Sequence, residues 1–261
     1  CEISENVKAG RSTKIMLPEL TLPYLVPGQE VLLDDGKIHL KIVEKAENVT
    51  ENGGENTQEK RYFAKVLWGG LLKSRKSAAL PGAKIYPPTL TNSDLANIKI
   101  AKEMGVTGVM QPFVRDHSDL ECVKEALREA GAEDIRLFAK IENMDGVRKL
   151  EKLLPAADEI VIARGDLGNA VHLWDLPGVQ RQIAEKCRAA GKPFMVVTQM
   201  LASMERSPVP TRAEVNDIFH AVMDGAASIM VTGETAVGDY PVEVIRYMVN
   251  TVRSAEKEEN R

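Results

Sequence analysis

The sequence is poor in aromatic residues and in cysteine, and it has no long apolar run; each shortage excludes a class of protein. Aromatics make up 5% of the 261 residues and no basic stripe runs between them, so a nucleic-acid groove is not expected. The formal net charge of −4 points the same way. No apolar stretch approaches the roughly 20 residues that span a bilayer, and no signal-peptide pattern stands at the start. The expectation is a cytoplasmic protein without membrane contact. Cys1, Cys122 and Cys187 are too few and too scattered for a disulfide framework or a zinc site, and they suit reduced thiols. His39, His117, His172 and His220 are equally scattered and read as structural or surface groups. The sequence opens on Cys1 rather than Met, so it need not be the whole natural chain.

What is present is an ordinary globular composition, 44% hydrophobic and 28% charged, with enough length for one barrel or two smaller domains. Residues 1 to about 80 read as β structure. Val31 to Leu33, the turn residues Asp34-Asp35-Gly36 and the alternating run from Lys37 to Val43 predict a hairpin with one buried face. Glu47 to Lys60 is rich in Glu, Asn and Gly and predicts a mobile loop; Arg61 to Leu67 reads as a further strand. Lys73, Arg75 and Lys76 read as a solvated basic run. Leu80-Pro81-Gly82 and Pro87-Pro88 then punctuate the passage to a second region.

Beyond that point short apolar runs alternate with amphipathic ones. Strands are predicted at 108–111, 136–141, 159–163, 193–198 and 227–231. Helices are predicted around 118–130, 145–154, 178–190 and 212–223, with a last one from Pro241 to about Glu256. An earlier helix, Leu95 to Met104, follows the capping residues of Thr91-Asn92-Ser93-Asp94. Alternation of this length predicts a parallel sheet with helices outside it. Five βα units can be counted where a closed (β/α)8 barrel has eight. Five strands would leave two hydrophobic edges, so the sequence is expected to be a fragment, to have residues left out, or to be completed by a partner chain.

The runs Arg136 to Ile141 and Glu159 to Ala163 end abruptly in charged residues. Loops after barrel strands build the active site, so Lys140 and Glu142 are expected to converge with Asp166. Two carboxylates and an ammonium suit a hard divalent cation together with an anionic substrate. The plainer alternative is an ion pair on a strand end. Local sequence likewise reads Asp34-Asp35-Gly36 as turn chemistry, and Thr211 with Glu214 as a capping box.

Five motifs in order, Lys140-Ile-Glu-Asn-x-x-Gly146, Ala163-Arg-Gly-Asp-Leu-Gly168, Thr198-Gln-Met-Leu201, Pro210-Thr-Arg-Ala-Glu214 and Gly233-Glu-Thr-Ala236, resemble those of the pyruvate kinase family. The resemblance implies an α/β fold, a TIM-type barrel represented by strands four to eight, with residues 80–261 as barrel and 1–79 as a small all-β capping lid. It implies phosphoryl transfer from phosphoenolpyruvate to ADP, giving pyruvate and ATP in glycolysis. Glu142 and Asp166 would be ligands of Mg²⁺ or Mn²⁺. Lys140 would stabilise the enolate oxygen and the phosphoryl group, and the amides of Gly165 and Asp166 would hold the substrate carboxylate. Thr198 would stand beside the carbon that gains a proton, positioning a water. Asp34 and Asp35 would lie on the lid near nucleotide, and Arg212, Thr232 and Glu234 would support the site. A homo-oligomer is implied too. So is K⁺, but the residues that hold it in the family belong to a barrel portion that this sequence lacks.

The pattern also departs from the family. Pro112 stands where a serine is typical, 169–177 replaces a Val-Glu-Ile-Pro type of sequence, and nothing resembles the C-terminal effector domain, so control through that domain is not expected. Two other readings follow: a Mg²⁺-dependent aldolase or lyase acting through a pyruvate enolate, and a non-catalytic relative. The capping domain and Lys140 favour the kinase, because a lyase has no phosphoryl group to shield or neutralise.

Overall fold

The computed structural model describes residues 2–7, 11–34, 36–45, 61–74, 76–83 and 85–259. The loop expected at 47–60, Asp35 and Arg75 lie outside them. The chain divides into two compact units, Cys1–Pro88 and Thr89–Arg261.

The first unit is built on strands β1 (Glu2–Val7), β2 (Arg11–Met16), β3 (Glu30–Leu33), β4 (Ile38–Lys45), β5 (Arg61–Trp68) and β6 (Ala78–Ala79). They form one sheet in the order β2-β1-β5-β4-β3-β6, antiparallel except for the β1–β5 pair. β3 and β4 make the hairpin expected at Asp34-Asp35-Gly36, with Asp34 at φ 49 and Gly36 at φ 81. The Asp34 carboxylate is 2.9 Å from Lys76 Nζ and 3.7 Å from Lys37 Nζ. Its pKa is lowered, chiefly by the hydrogen bond from Lys76. Apolar residues of alternate strand positions, Val31, Leu33, Leu40, Ile42, Tyr62 and Ala64 among them, bury one face. His39 is buried edge-on against Trp68 and 3.2 Å from a Glu30 carboxylate oxygen, a packing role.

The second unit alternates strands and helices: α1 (Asn92–Ala101), β7 (Gly108–Gln111), α2 (His117–Glu129), β8 (Arg136–Ile141), α3 (Met144–Arg148), α4 (Leu150–Leu153), β9 (Glu159–Ala163), α5 (Arg164–Ala170), α6 (Leu176–Ala189), β10 (Phe194–Val197), α7 (Arg212–Met223), β11 (Ser228–Met230), α8 (Gly233–Ala236) and α9 (Pro241–Glu259). The five strands are parallel and lie in chain order, β7-β8-β9-β10-β11, with β7 and β11 at the edges. A doubly wound sheet reverses its strand order part-way; this one does not. Strictly sequential parallel neighbours with intervening helices are the TIM-type arrangement, here over five βα units. β9 is buried along its whole length, as a strand covered on both faces must be.

Local chemistry fixes where the helices begin and end. Thr91 and Thr211 each close a reciprocal capping box, with Asp94 and Glu214, and Asp116 and Asn143 cap α2 and α3. The turns ahead of β7, β8, β10 and β11 carry Gly105, Gly131, Gly191 and Gly225 at φ between 60 and 89. The bonds Gly131 N–H to Arg128 O and Ala132 N–H to Leu127 O, with their counterparts in the other three turns, make Schellman motifs. The single helix expected at 145–154 is two, parted at Lys149 (φ −98, ψ 10). The break turns the chain so that Leu150, Leu153 and Leu154 all reach the core.

Cys187 lies buried in α6, and burial pushes its thiol up to about 12; it is no nucleophile at neutral pH. Asp119 is also buried. Its burial alone would raise its pKa, but hydrogen bonds from Arg115 and Thr89 outweigh that and bring it down to about 2. A carboxyl with a depressed folded pKa stabilises the fold above its unfolded value near 3.8 and loses that contribution as pH falls through the folded value. Asp119 is therefore expected to contribute about 2 kcal/mol at neutral pH, lost between about pH 4 and pH 2. Urea midpoints across that range should fall more steeply for the natural protein than for Asp119→Asn; parallel curves would remove the assignment.

Candidate active site

The register of the parallel sheet decides which residues share its carboxyl edge. Ile141 stands opposite Ile162, Val197 opposite Ala163 and Met230 opposite Val197. Glu142, Arg164-Gly165-Asp166, Thr198 and Val231-Thr232 therefore leave neighbouring strands at the same edge, with strands about 4.8 Å apart.

Glu142 is the most constrained of them. Its side chain is 1% exposed, and each of its oxygens has a partner: Lys140 Nζ at 2.7 Å on Oε1 and the Phe113 N–H at 2.7 Å on Oε2. A buried carboxylate without such partners would cost several kcal/mol. Lys140 keeps a quarter of its side chain exposed while its ammonium holds Glu142. The rest of Lys-Ile-Glu-Asn-x-x-Gly is explained by one carbonyl. Asn143 caps α3 by accepting from the Gly146 N–H at 2.9 Å, and donates to Val114 O at 3.1 Å. A Cβ on Gly146 would stand 2.6 Å from that same oxygen. The loop after β7 thus rests on the loop after β8, and this sets the Phe113 N–H against Glu142.

The second motif grips the third. Arg164 donates to Thr198 O through Nη2 at 2.6 Å and Nε at 3.2 Å, and to the Met200 sulfur at 2.8 Å. Its Nη1 meets both oxygens of Asp217 on α7, at 2.8 and 2.6 Å. Gly165 faces the Thr198 side chain, where a Cβ would come within 3.0 Å of Cγ2. Asp166 is half-buried in the first turn of α5, and Leu167 behind it is fully buried.

Thr198 and Gln199 have φ of 86 and 54. A β-branched residue at positive φ is a genuine outlier, and such strain gathers at functional sites. Met200 and Leu201 are buried. The remaining motifs hold this loop. Glu234, 2% exposed, accepts from the N–H groups of Leu201 at 3.2 Å and Thr232 at 2.8 Å. Glu214 completes its capping box and also binds the Ser203 N–H and hydroxyl, at 2.7 and 2.6 Å. Thr232 and Arg212 are exposed.

Among the described residues, four non-glycine residues have positive φ, and three of them, Phe113, Thr198 and Gln199, directly follow β7 or β10 at this edge. Sequence reasoning missed Phe113, Asn143, Arg164 and Asp217. Asn143 and Arg164 stand inside quoted motifs and could have been found there; Phe113 acts through its backbone N–H, and Asp217 through a side-chain pair with Arg164 that is 53 residues away in sequence. His172 stacks on Trp174 at 4.6 Å in the exposed 171–175 loop, and His220 bonds to Asn216 O.

Among the described residues no group of three or more His, Cys, Asp or Glu forms a ready cage for a metal. Glu142 and Asp166 could still supply hard oxygen donors, since Mg²⁺ takes one or two carboxylates and fills the rest of its shell from water and substrate. Each Glu142 oxygen keeps a second lone pair beyond its present partner, so the donor set fits.

Gly146→Ala is expected to cost about 1–3 kcal/mol through the contact with Val114 O. Thermal unfolding of the variant would check it; a midpoint equal to that of the natural protein would mean that the two loops do not rest on each other.

The comparisons with known proteins agree with this geometry. The family profile described as "Pyruvate kinase, barrel domain" matches residues 4–245. The chain is 38% identical over 230 residues to the pyruvate kinase of Bacillus licheniformis, an alignment covering 88% of this chain and 38% of the relative. It is 39% identical over 233 residues to that of Geobacillus stearothermophilus, again covering 88% and 38%. For the pyruvate kinase of Chlamydia trachomatis serovar D the identity is 33% over 256 residues, covering 98% of this chain and 50% of the relative. The chain thus spans between 38% and 50% of the length of these relatives. No helix among the described residues is long and apolar enough to cross a membrane. A profile match over nearly the whole chain, relatives above 30% identity and five motifs meeting at one sheet edge place this chain in the pyruvate kinase family.

Proposed function

We propose that the protein transfers the phosphoryl group of phosphoenolpyruvate to ADP, with the carboxyl edge of β7–β11 as its active site. The observation that carries this reading is the Lys140–Glu142 pair: the ammonium of a partly exposed lysine held 2.7 Å from a buried carboxylate. In the transfer the bond from phosphorus to the enol oxygen breaks, its electrons staying on that oxygen, while a terminal ADP oxygen bonds to phosphorus. Protein groups contribute position and charge rather than covalent chemistry. Lys140 neutralises negative charge on the phosphoryl and enolate oxygens. Glu142 and Asp166 would hold Mg²⁺ or Mn²⁺, which supplies Lewis-acid stabilisation of the same oxygens. The first-turn amides of α5, at Gly165 and Asp166, would donate to the substrate carboxylate.

The enolate then becomes pyruvate: its terminal carbon takes a proton, and the enolate electrons form the ketone. Thr198 stands ready to orient the water that brings this proton, since a threonine hydroxyl is too weak an acid to donate directly. Arg212, Thr232 and Glu234 support the site from behind, Glu234 by its two backbone bonds. In the first unit, residues 1–79 act as a lid domain whose Asp34-Asp35 turn approaches the nucleotide. From family membership we further propose K⁺ dependence, through ligands that are not among the residues of this sequence, together with a cytoplasmic location and a homo-oligomer. Leu173 and Trp174, 72% and 77% exposed, are well suited to subunit contact.

Pyruvate release from phosphoenolpyruvate should require both ADP and Mg²⁺. Release from a larger 2-oxo acid without nucleotide would favour a lyase, and no turnover a non-catalytic relative. Lys140→Ala is expected to lower kcat about 10²–10³-fold with the circular dichroism spectrum unchanged; an unaltered kcat would remove the role given to Lys140. Glu142→Gln should weaken Mg²⁺ binding, followed by calorimetry, at least about tenfold, and equal affinity would remove the ligand assignment.

A further inference from the structure

Three carboxylates from later elements converge on the segment 198–203, and one of them acts at one remove. Glu234 and Glu214 bind the backbone of Leu201 and Ser203 directly. Asp217 instead holds Arg164, and Arg164 holds the carbonyl of Thr198. We propose that Asp217, through Arg164, is a positioning residue that keeps Thr198 in its left-handed backbone conformation and so sets the geometry of proton delivery. The catalytic consequence rests on the functional reading above; the placement of Thr198 does not.

The geometry singles out this relay. Thr198 at φ 86 would relax to the extended region unless held. The Thr198 carbonyl accepts two bonds from a single guanidinium, which is 13% exposed and spends its third nitrogen on both oxygens of Asp217. A planar guanidinium forked between two acceptors transmits the position of one to the other. Asp217 sits one and a half turns into α7, whose start is fixed by the Thr211–Glu214 capping box. The helix therefore provides a rigid origin for the chain α7, Asp217, Arg164, Thr198. The Thr198 side chain meanwhile abuts Gly165, where a larger residue would press on Cγ2. Rotation about φ at Thr198 would swing that hydroxyl away from the first turn of α5.

The test compares Asp217→Asn, Asp217→Ala and Asp217→Glu in the full chain. In Asp217→Ala, kcat for ADP-dependent pyruvate release is expected to fall about 10- to 100-fold, with KM for phosphoenolpyruvate changed less than about twofold. Exchange of pyruvate methyl protons with deuterated solvent, followed by NMR, should fall in the same proportion, because it isolates the carbon-protonation step. Asp217→Glu, which keeps the charge, should recover part of both, and Asp217→Asn should lie between. A merely structural Asp217 would lower the melting temperature of Asp217→Ala and leave kcat and exchange unchanged below it; that result overturns the proposal. If the natural protein itself releases no pyruvate, the functional reading fails, and the placement is read from a crystal structure of Asp217→Ala. Thr198 leaving positive φ supports the relay, and φ staying near 86 overturns it.

Discussion

A carboxylate with 1% of its side chain exposed must find a partner for each oxygen inside the protein, and at Glu142 that requirement organises the surrounding loops. One oxygen takes Lys140 from its own strand. The other takes the Phe113 N–H, from a residue held at φ 51. The following residue is anchored at Val114 O by Asn143, and Gly146 leaves room for that carbonyl. The chemistry proposed for the site and the packing of two barrel loops are thus one constraint. A residue that buries a charge without its loop, or builds the loop without its charge, would leave a polar group unmatched in a dry place.

The same division of labour separates the two ends of the sheet. At the amino edge, turns that need positive φ use glycine in Schellman motifs, ahead of four of the five strands. Those turns are relaxed, because glycine enters that region without steric cost. Acidic residues at this end meet ordinary partners: Asp158 accepts from the Leu137 N–H, and Glu159 from Ser228 and Arg136. At the carboxyl edge the same φ region is occupied by Phe113, Thr198 and Gln199. A side chain kept where glycine would be easier is a side chain the position requires. This agrees with the general rule that one face of such barrels carries stability and the other chemistry.

Much of this was legible in sequence where a repeated pattern encodes it. Alternating apolar runs gave the five strands of the second unit and their helices, because burial on both faces demands near-continuous apolar residues. Lys140, Glu142 and Asp166 stood out because charge directly after such a run is costly unless used. Other features had no local signature. The break at Lys149 comes from Leu150 and Leu153 seeking the core, a tertiary demand. β1 and β2 are polar in sequence and take their place by pairing with β5 and with each other. Arg164 was visible within its motif, yet its role depends on which carbonyl faces it, and Asp217 belongs to no motif.

Strain also has to be balanced. Each non-glycine residue held at positive φ costs about 1–3 kcal/mol, so Phe113, Thr198 and Gln199 together approach the net stability of a small domain, about 5–15 kcal/mol. Glu142 and Arg164 bond to Phe113 and Thr198 themselves, and Glu234 and Glu214 hold Leu201 and Ser203 further along the loop that follows Gln199. Each of these bonds is charge-assisted and so roughly twice as strong as a neutral bond. Acidic side chains at this edge therefore serve two ends at once. They offset the strain that shapes the site, and they surround it with negative charge that Lys140 alone, among the groups described at Glu142, answers with an ammonium. An edge built this way favours a cationic partner before an anion, the order of charges that the proposed metal-assisted phosphoryl transfer would need.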